Sequence, residues 1–212
     1  MIGIIGGTGP QGKGLAYRLA VAGIDVLLGS RSADKGEAVA AELAGAGAGT
    51  VMGAANGDLP GRCEMLLVAV PYDGLDDTLG PLADDVDGQV VMSAVNRLGF
   101  KGGPHPVPVE AGSSAQQIAA LLPGGRVTTA FNNVSAVHLM DEGHVFDEDV
   151  LVCGDDAEAV VLTTALVDRV AGLRGVPSGP LHHAATIEAM TAVIISINKS
   201  HKTNAGVKIS GL

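Results

Sequence analysis

The sequence has few aromatic residues, few cysteines and few cations, and each shortage excludes a class of protein. Its 212 residues include two Tyr, three Phe and no Trp, so a ligand site lined by stacked aromatic rings is excluded. The two cysteines, Cys63 and Cys153, are too few for a disulfide framework or a cysteine-based zinc cluster, as in reduced cytoplasmic proteins. Thirteen Lys+Arg against 23 Asp+Glu give a formal charge of -10, which argues against nucleic acid as the main partner.

The sequence also shows neither the pattern of a targeting segment nor that of a membrane span. The chain begins Met1-Ile2-Gly3-Ile4-Ile5 without a basic region, which does not resemble a signal peptide. The most apolar late stretch, Ala184 to Ile197, contains Glu188 and is shorter than the ~20 residues that span a bilayer. We therefore expect a cytoplasmic protein with no membrane partner.

The first 94 residues alternate short β-rich runs with helical stretches, a pattern typical of βαβ units and a parallel sheet. The apolar run Met65–Val70 predicts a strand that is covered on both faces. The pattern predicts strands at Ile2–Ile5, Asp25–Gly29, Thr50–Gly53, Met65–Val70 and Gln89–Ala94, and helices at Gln11–Ala22 and Ala33–Ala46.

A long irregular loop, Asn96 to Gly112, separates this part from the rest. We expect a helix at Ser113–Leu122 with Ser113 or Ser114 as its N-cap, and a last helix, Leu181–Lys199, whose nearly uniform apolar character predicts burial. Between these helices the pattern predicts strands at Arg126–Ala130 and Asp149–Cys153 and a helix at Ala157–Ala171. The fold class is α/β: a Rossmann-type doubly wound parallel sheet over residues 1–130, and a small C-terminal α/β domain over residues 131–212.

A glycine motif follows the first predicted strand. Gly7, Gly9 and Gly12 have the spacing G-x-G-x-x-G, and the first predicted helix begins within the motif. This context indicates a dinucleotide site, with the pyrophosphate at the helix N-terminus. A plain glycine-rich turn is the alternative.

The end of the second strand indicates which dinucleotide binds. NAD sites usually place an acidic residue there, whereas this chain has Gly29-Ser30-Arg31-Ser32 and no carboxylate before Asp34. Ser30 and Arg31, with Lys35 nearby, favour a ribose 2′-phosphate and therefore NADP. A solvated Arg/Lys pair is the alternative.

Other candidate residues follow strands at the same edge. Pro71 and Tyr72 follow the fourth strand, and Tyr72 either covers the cofactor or is a rim residue. Asn132 and Asn133 follow the strand that ends at Ala130, and either orient a ring amide or cap a short segment.

The six histidines show no metal-ligand spacing, so no metal site is predicted. No nucleophile elbow and no evident acid/base pair occur either. Hydride transfer does not require such a pair, since alignment of donor and acceptor carbons is the main contribution of the protein.

Together, these segments resemble the NADPH-dependent F420 reductases over essentially the whole chain. The resemblance is carried by Gly6-Gly7-Thr8-Gly9 with Gly12-Lys13-Gly14, by Gly29-Ser30-Arg31 with Lys35, by Cys153-Gly154-Asp155-Asp156, by Ser178-Gly179-Pro180-Leu181 and by Ala205-Gly206-Val207-Lys208-Ile209. It implies that NADP and coenzyme F420 are the cofactors, and that the C-terminal part forms the deazaflavin pocket.

The resemblance also implies site residues. Thr8 to Gln11 would border the pyrophosphate, Tyr72 would border the cofactor and Ala136 would lie near the nicotinamide. Some members carry His at the position of Asn132, so a role for that histidine does not transfer. The residues expected to bind cofactor are Gly7, Thr8, Gly9, Pro10, Gln11, Gly12, Ser30, Arg31, Lys35, Pro71, Tyr72, Asn132, Val134 and Ala136.

The function that these expectations favour is reversible hydride transfer between NADP(H) and F420, by an oxidoreductase. The alternative is an NADPH-binding regulatory protein that acts as a redox sensor without turnover. The apolar last helix further predicts a homodimer that buries part of Leu181–Lys199, unless this helix fills the core of the monomer.

Overall fold

The fold contains ten strands and seven α-helices in a computed structural model that describes residues 1–212. The strands are β1 (Ile2–Ile5), β2 (Val26–Ser30), β3 (Val51–Ala55), β4 (Met65–Val68), β5 (Val90–Ser93), β6 (Leu98–Gly99), β7 (His105–Pro106), β8 (Arg126–Thr129), β9 (Glu148–Gly154) and β10 (Leu173–Pro177). The helices are α1 (Pro10–Val21), α2 (Ala33–Glu42), α3 (Leu75–Leu79), α4 (Ser114–Leu121), α5 (Ala136–Met140), α6 (Ala157–Asp168) and α7 (Ala184–His201).

Eight strands form one sheet in the order β10-β9-β8-β5-β4-β1-β2-β3. All neighbours are parallel except β8 and β9, which are antiparallel. The strand order reverses between β1 and β4, which is the point where ligands bind in doubly wound sheets. The predicted Rossmann-type α/β fold is confirmed, and β9 and β10 extend the same sheet at one edge.

The sheet is covered on both faces, because two separate apolar clusters of similar size pack against it. One contains 24 buried residues, including Ile4 and Leu28, and the other contains 22, including Ile5 and Leu27. Neighbouring residues of one strand thus belong to opposite clusters. This two-sided burial accounts for the continuous apolar runs in the sequence.

Five elements are absent from the sequence prediction: β6, β7, β10, α3 and α5. β10 contains Arg174 and Gly175 and ends at Pro177, a composition with little β character, and it forms because it pairs in parallel with β9. An ion pair between the buried Asp149 and the partly exposed Arg174 supports this edge. The Arg174 guanidinium donates two 2.8 Å hydrogen bonds to Asp149, and these bonds lower the pKa of Asp149.

The other four missed elements are short, and α5 has only five residues. α3 has five residues, too few for a helical period to be recognised. The segment expected to be an irregular loop, Asn96 to Gly112, contains the antiparallel pair β6–β7. Each of its strands has two residues, so no alternating pattern could reveal them.

The last helix, α7, is only partly buried within one chain. The sequence predicts its burial, partly against a second subunit, and within one chain Val193 is 58% exposed and Ile197 is 42% exposed. Ile187 and Ile194 face the core, and the buried Glu188 accepts hydrogen bonds from the first backbone N–H groups of α4. Within one chain, α7 is therefore buried on one face only. No helix of the chain combines the length and apolar character needed to cross a bilayer.

Both cysteines are buried as free thiols. Cys63 lies beneath Gly3 of β1, where an added Cβ would meet the sulfur at 2.9 Å. Cys153 lies in β9, and burial raises the pKa of its thiol to about 12. Burial also raises the pKa of Cys63.

Candidate active site

A cleft of about 670 Å³ opens at the carboxyl ends of β1, β2, β4 and β5. It is lined by Gly6, Thr8, Gly9, Pro10, Gln11, Ser30, Arg31, Lys35, Asn56, Ala69, Val70, Pro71, Tyr72, Asp73, Gly74, Thr78, Ala94, Val95 and Asn96. Nine residues predicted from the sequence therefore meet in one place, which is the switch point of the sheet.

The glycines after β1 have different tasks. Gly6 has a φ of +72°, which favours glycine, and Gly12 packs so closely that an added Cβ would lie 2.6 Å from the Cα of Gly7. Gly7 and Gly12 thus lie behind the cleft and hold the turn against the helix. Gly9 differs, because an added Cβ there would meet only the Gly6 carbonyl oxygen, at 3.9 Å. The fold does not require glycine at position 9.

The N-terminus of α1 points into the cleft. Gly9 is its N-cap with no side-chain cap, Pro10 is the first helical residue, and the first turn contains no acidic residue. The free N–H groups and the helix dipole therefore favour an anion at this point.

The cations at the end of β2 have no protein partner. Ser30 is buried, whereas Arg31 and Lys35 are exposed. Neither Arg31 nor Lys35 forms an ion pair or a side-chain hydrogen bond anywhere in the chain. The cleft thus has two unpaired cations at one end, in a protein with a net charge of -10.

Asn56 was not predicted as a site residue. It follows β3, and its side-chain oxygen accepts a 3.1 Å hydrogen bond from the backbone N–H of Gly6. This bond ties the glycine loop to the neighbouring strand end. The sequence feature that could have identified Asn56 is its position directly after a strand, at the carboxyl edge of the sheet.

Tyr72 is held on two sides, at the opposite end of the cleft. Its hydroxyl donates a 2.5 Å hydrogen bond to Gln117, and the Arg97 guanidinium lies 4.4 Å from the centre of its ring. Arg97 in turn donates a hydrogen bond to the Pro108 carbonyl. Gln117 and Arg97, neither of which was a candidate in the sequence analysis, therefore fix the tyrosine ring as a wall of the cleft.

The turn after β8 is tied to the glycine loop. The Gln11 side chain donates to the carbonyl oxygens of Phe131 and Val134, at 3.2 and 3.4 Å. Phe131 is buried and has a φ of 63°, an uncommon conformation for a bulky residue. This strained turn brings the segment before α5 beside the cleft.

Asn132 has its side-chain amide fully engaged. Its oxygen accepts a 2.6 Å hydrogen bond from Thr129, and its nitrogen donates to Val95 at 3.2 Å and to Asn96 at 3.1 Å. Asn132 thus joins the turn after β8 to the loop after β5. The structure does not bring Asn132, Val134 or Ala136 into the lining of the cleft.

The histidines are less scattered than the sequence suggests. The rings of His138 and His144 stack, with centroids 3.6 Å apart, and Glu148 lies beside them. None of the three lines the cleft. Sequence spacing did not reveal this group because the turn after α5 folds back on itself between the two histidines.

Comparison with known proteins gives a consistent assignment. The family model described as "NADP oxidoreductase coenzyme F420-dependent" matches residues 1–97. This match spans the glycine loop, the end of β2 and the β4 edge.

Similar proteins cover the whole chain. The F420-dependent NADP reductase of Methanothermobacter thermautotrophicus is 36% identical, over 100% of this chain and 95% of that protein. The F420-dependent NADP reductase of Methanocaldococcus jannaschii is 32% identical, over 100% and 98%. A crystal structure from Arthrobacter sp. FB24, provisionally named an F420-dependent NADP-reductase, has a TM-score of 0.84 at 25% identity and covers 99% of this chain and 98% of that one.

Proposed function

The chain belongs to the family of F420-dependent NADP reductases, and on that premise we propose that it is an oxidoreductase that transfers a hydride reversibly between NADP(H) and coenzyme F420. No observation favours the alternative of a redox sensor without turnover. NADP and F420 are the corresponding cofactors.

One observation carries the choice of nucleotide: the unpaired cations Arg31 and Lys35 at the end of the cleft where α1 begins. A 2′-phosphate needs charged donors that are not already bonded, and an acidic residue at this strand end would repel it. Ser30, at the end of β2, is a further donor. The positive charge at this end of the cleft therefore suits the 2′-phosphate of NADP.

The glycine loop supports the position of the pyrophosphate. Thr8, Gly9, Pro10 and Gln11 line the cleft at the N-terminus of α1, and space is open beside Gly9. We assign pyrophosphate binding to these four residues, while Gly7 and Gly12 shape the turn beneath them. The helix N-terminus stabilises the negative charge.

The opposite end of the cleft supports the position of the reacting rings. When bound, the nicotinamide and the deazaflavin supply the carbons between which the hydride moves. Tyr72, fixed by Gln117 and Arg97, and Pro71 form a wall there. We assign to this wall, and to the turn that carries Asn132, Val134 and Ala136, the task of orienting the rings and excluding water.

We also propose the division of the chain at residue 130, with residues 131–212 contributing the deazaflavin pocket. The antiparallel junction of β8 with β9 supports this boundary, because it breaks the parallel order of the sheet.

Buried free thiols and the acidic net charge support a cytoplasmic protein that does not bind nucleic acid.

The exposed apolar side chains of α7 support the proposed homodimer. Val193 and Ile197 lie on the outer face of this helix, where a second copy would bury them. Sedimentation at low micromolar concentration tests this assembly: a dimer is expected, and a monomer alone would mean that α7 serves only the core of its own chain.

Isotope transfer tests the reaction. The purified protein is mixed with F420 and with NADPH deuterated on one or the other face of nicotinamide C4. We expect loss of deazaflavin absorbance, and direct transfer of deuterium from one face to C5 of F420. Deuterium recovered only in solvent, or NADPH binding without any oxidation, would contradict the proposal and favour a sensor.

A further inference from the structure

A second group of functional side chains lies away from the cleft. It consists of His138 in α5, His144 in the following turn and Glu148 at the start of β9, which we call the His–His–Glu cluster. One potential ligand atom from each residue lies within 4.8 Å of the others. His138 Nδ1 and Glu148 Oε1 are 4.0 Å apart.

The polar atoms of this cluster have no hydrogen-bond partners. His138 Nδ1 and His144 Nε2 are both buried and unpaired, although buried polar atoms almost always find a partner. The Glu148 carboxylate accepts no hydrogen bond in the chain, and Glu148 is 9% exposed. Three potential ligands thus converge with their lone pairs unused.

The surroundings enclose the cluster. The Phe146 ring packs edge-on against His144, with centroids 4.7 Å apart. Gly206 of the C-terminal segment lies against the Glu148 carboxylate so closely that a Cβ at position 206 would overlap it. The cluster is therefore held between the Phe146 ring and the C-terminal segment.

The local charge permits a cation. Asp141, Glu142 and Asp147 belong to the same turn, although Asp147 is paired with Lys208. The one cation facing the cluster from α1 is Arg18, whose guanidinium donates to backbone carbonyls including those of His138 and His144. Its charge is thus directed at carbonyl oxygens.

We propose that the His–His–Glu cluster binds a divalent transition-metal ion of the zinc class, through one imidazole nitrogen of each histidine and one carboxylate oxygen of Glu148. Two imidazoles with a carboxylate suit Zn²⁺, Co²⁺ or Ni²⁺, whereas Mg²⁺ and Ca²⁺ prefer oxygen ligands alone. Ligand atoms on a tetrahedral zinc ion lie roughly 3.4 Å apart, as follows from Zn–N distances of about 2.0–2.1 Å. The stacked rings would therefore splay, and the side chains would close by about one ångström.

The consequence of binding would be structural, because none of the three ligands lines the cleft. The metal would join α5 to β9. α5 also packs on α1, where an added Cβ at Gly14 would lie 2.6 Å from the Cβ of Leu139. A metal at the cluster would thus fix the turn between α5 and β9 against the helix whose N-terminus faces the cleft.

Metal titration of the whole protein tests this proposal. Protein freed of metal with a chelator is titrated with Zn²⁺ by calorimetry, and separate samples are melted with Zn²⁺ or Mg²⁺. We expect one Zn²⁺ per chain, a rise in Tm of about 5–10 °C at a hundredfold excess over Kd, and no effect of Mg²⁺. Co²⁺ should give the visible absorption of a low-coordinate nitrogen–oxygen site.

Variants identify the ligands. His144→Ala and Glu148→Gln should each weaken Zn²⁺ binding by more than the roughly 10–100-fold that outer partners of metal ligands contribute. His182→Ala, at an exposed histidine beside His183, is the matched control and should bind as the parent does. Because Glu148→Gln preserves size, it decides the result if His144→Ala does not fold.

Either of two results would overturn the proposal. The first is the absence of Zn²⁺ binding to the parent protein at micromolar concentrations. The second is binding that His182→Ala abolishes while both cluster variants retain it, which would place the metal on the exposed histidine pair. NADPH affinity, measured alongside, should be unchanged in folded cluster variants.

Discussion

The two ends of the cleft differ in whether their polar side chains are already bonded. At the α1–β2 end, which we call the free end, Arg31 and Lys35 have no partner and the space beside Gly9 is open. At the opposite end, which we call the bonded end, Tyr72 lines the cleft and Asn132 lies outside its lining. The side chains of both are bonded to other residues of the chain. Free groups are available to a ligand, whereas bonded groups determine the shape of the wall that the ligand meets.

The largest effect should come from filling the open space. Gly9→Val should abolish turnover in both directions while the protein stays folded, because its φ of -79° suits any residue and a side chain would occupy the pyrophosphate position. Turnover is followed by deazaflavin absorbance, and folding by circular dichroism and melting.

Two glycine variants sharpen this result. Gly61→Val, where an added Cβ meets nothing within 4 Å, should leave both activity and folding intact. Gly12→Val should instead unfold the protein, since its side chain would overlap Gly7. An active Gly9→Val variant would remove the distinction between a ligand-dependent glycine and a packing glycine.

Substitutions at the bonded end should lower the stability of the protein and leave its nucleotide affinity nearly unchanged. Asn132→Leu leaves the Val95 carbonyl and the Asn96 side chain without their partner, at a cost of about 2–4 kcal/mol in the free energy of unfolding. NADPH affinity of the folded variant should change little. Denaturant unfolding and fluorescence titration measure the two quantities.

Asn204→Leu is the control for this variant, because Asn204 is exposed and its side chain forms no hydrogen bond. A large loss of NADPH affinity in Asn132→Leu, with stability unchanged, would show that the asparagine binds the cofactor directly, as the sequence suggested.

Substitutions at the free end should lower NADPH affinity and leave the stability of the protein unchanged. Arg31→Ala removes a charged hydrogen bond of about 1.5–3 kcal/mol, which corresponds to roughly a 10- to 150-fold loss of NADPH affinity. NADH binding should not weaken, because it has no 2′-phosphate. Arg62→Ala, at another exposed arginine, should match the parent, and equal NADPH affinity in Arg31→Ala would refute the assignment of the 2′-phosphate.

The smallest effect should come from loosening the wall. Tyr72→Phe removes one hydrogen bond to Gln117 and keeps the ring beneath Arg97, so stability should fall by about 0.5–1.5 kcal/mol. Gln117→Leu also removes the 2.6 Å hydrogen bond that Gln117 donates to Asp76, so it should cost somewhat more. The double variant should cost no more than about Gln117→Leu alone. Full additivity would mean that the two residues are not coupled.

The sequence predicted that Gly9, Arg31 and Lys35 would meet at one edge of the sheet, because local patterns specify their placement. Gly9, Arg31 and Lys35 lie at fixed distances from a strand, and a strand–turn–helix unit brings such positions together without distant contacts. The Rossmann-type sheet was predicted for the same reason.

The bonded end could not be predicted, since its contacts join distant parts of the chain. Gln117 reaches Tyr72 across 45 residues, and Asn96 reaches Asn132 across 36. The His–His–Glu cluster is hidden for a related reason, because its ligands lie on a helix, a turn and a strand that share no periodicity. β10 likewise depends on its neighbour strand and on Asp149 more than on its own composition.

The two buried thiols can report where the folded chain opens locally. Alkylating reagents attack the thiolate, and because burial raises the pKa of Cys153 to about 12, the folded chain holds almost no Cys153 thiolate at pH 8. Modification of Cys153 must therefore follow a local opening of β9, and modification of Cys63 an opening beside β1. The ratio of the two labelling rates, read by mass spectrometry, measures whether residues 1–130 and 131–212 open as one unit or separately.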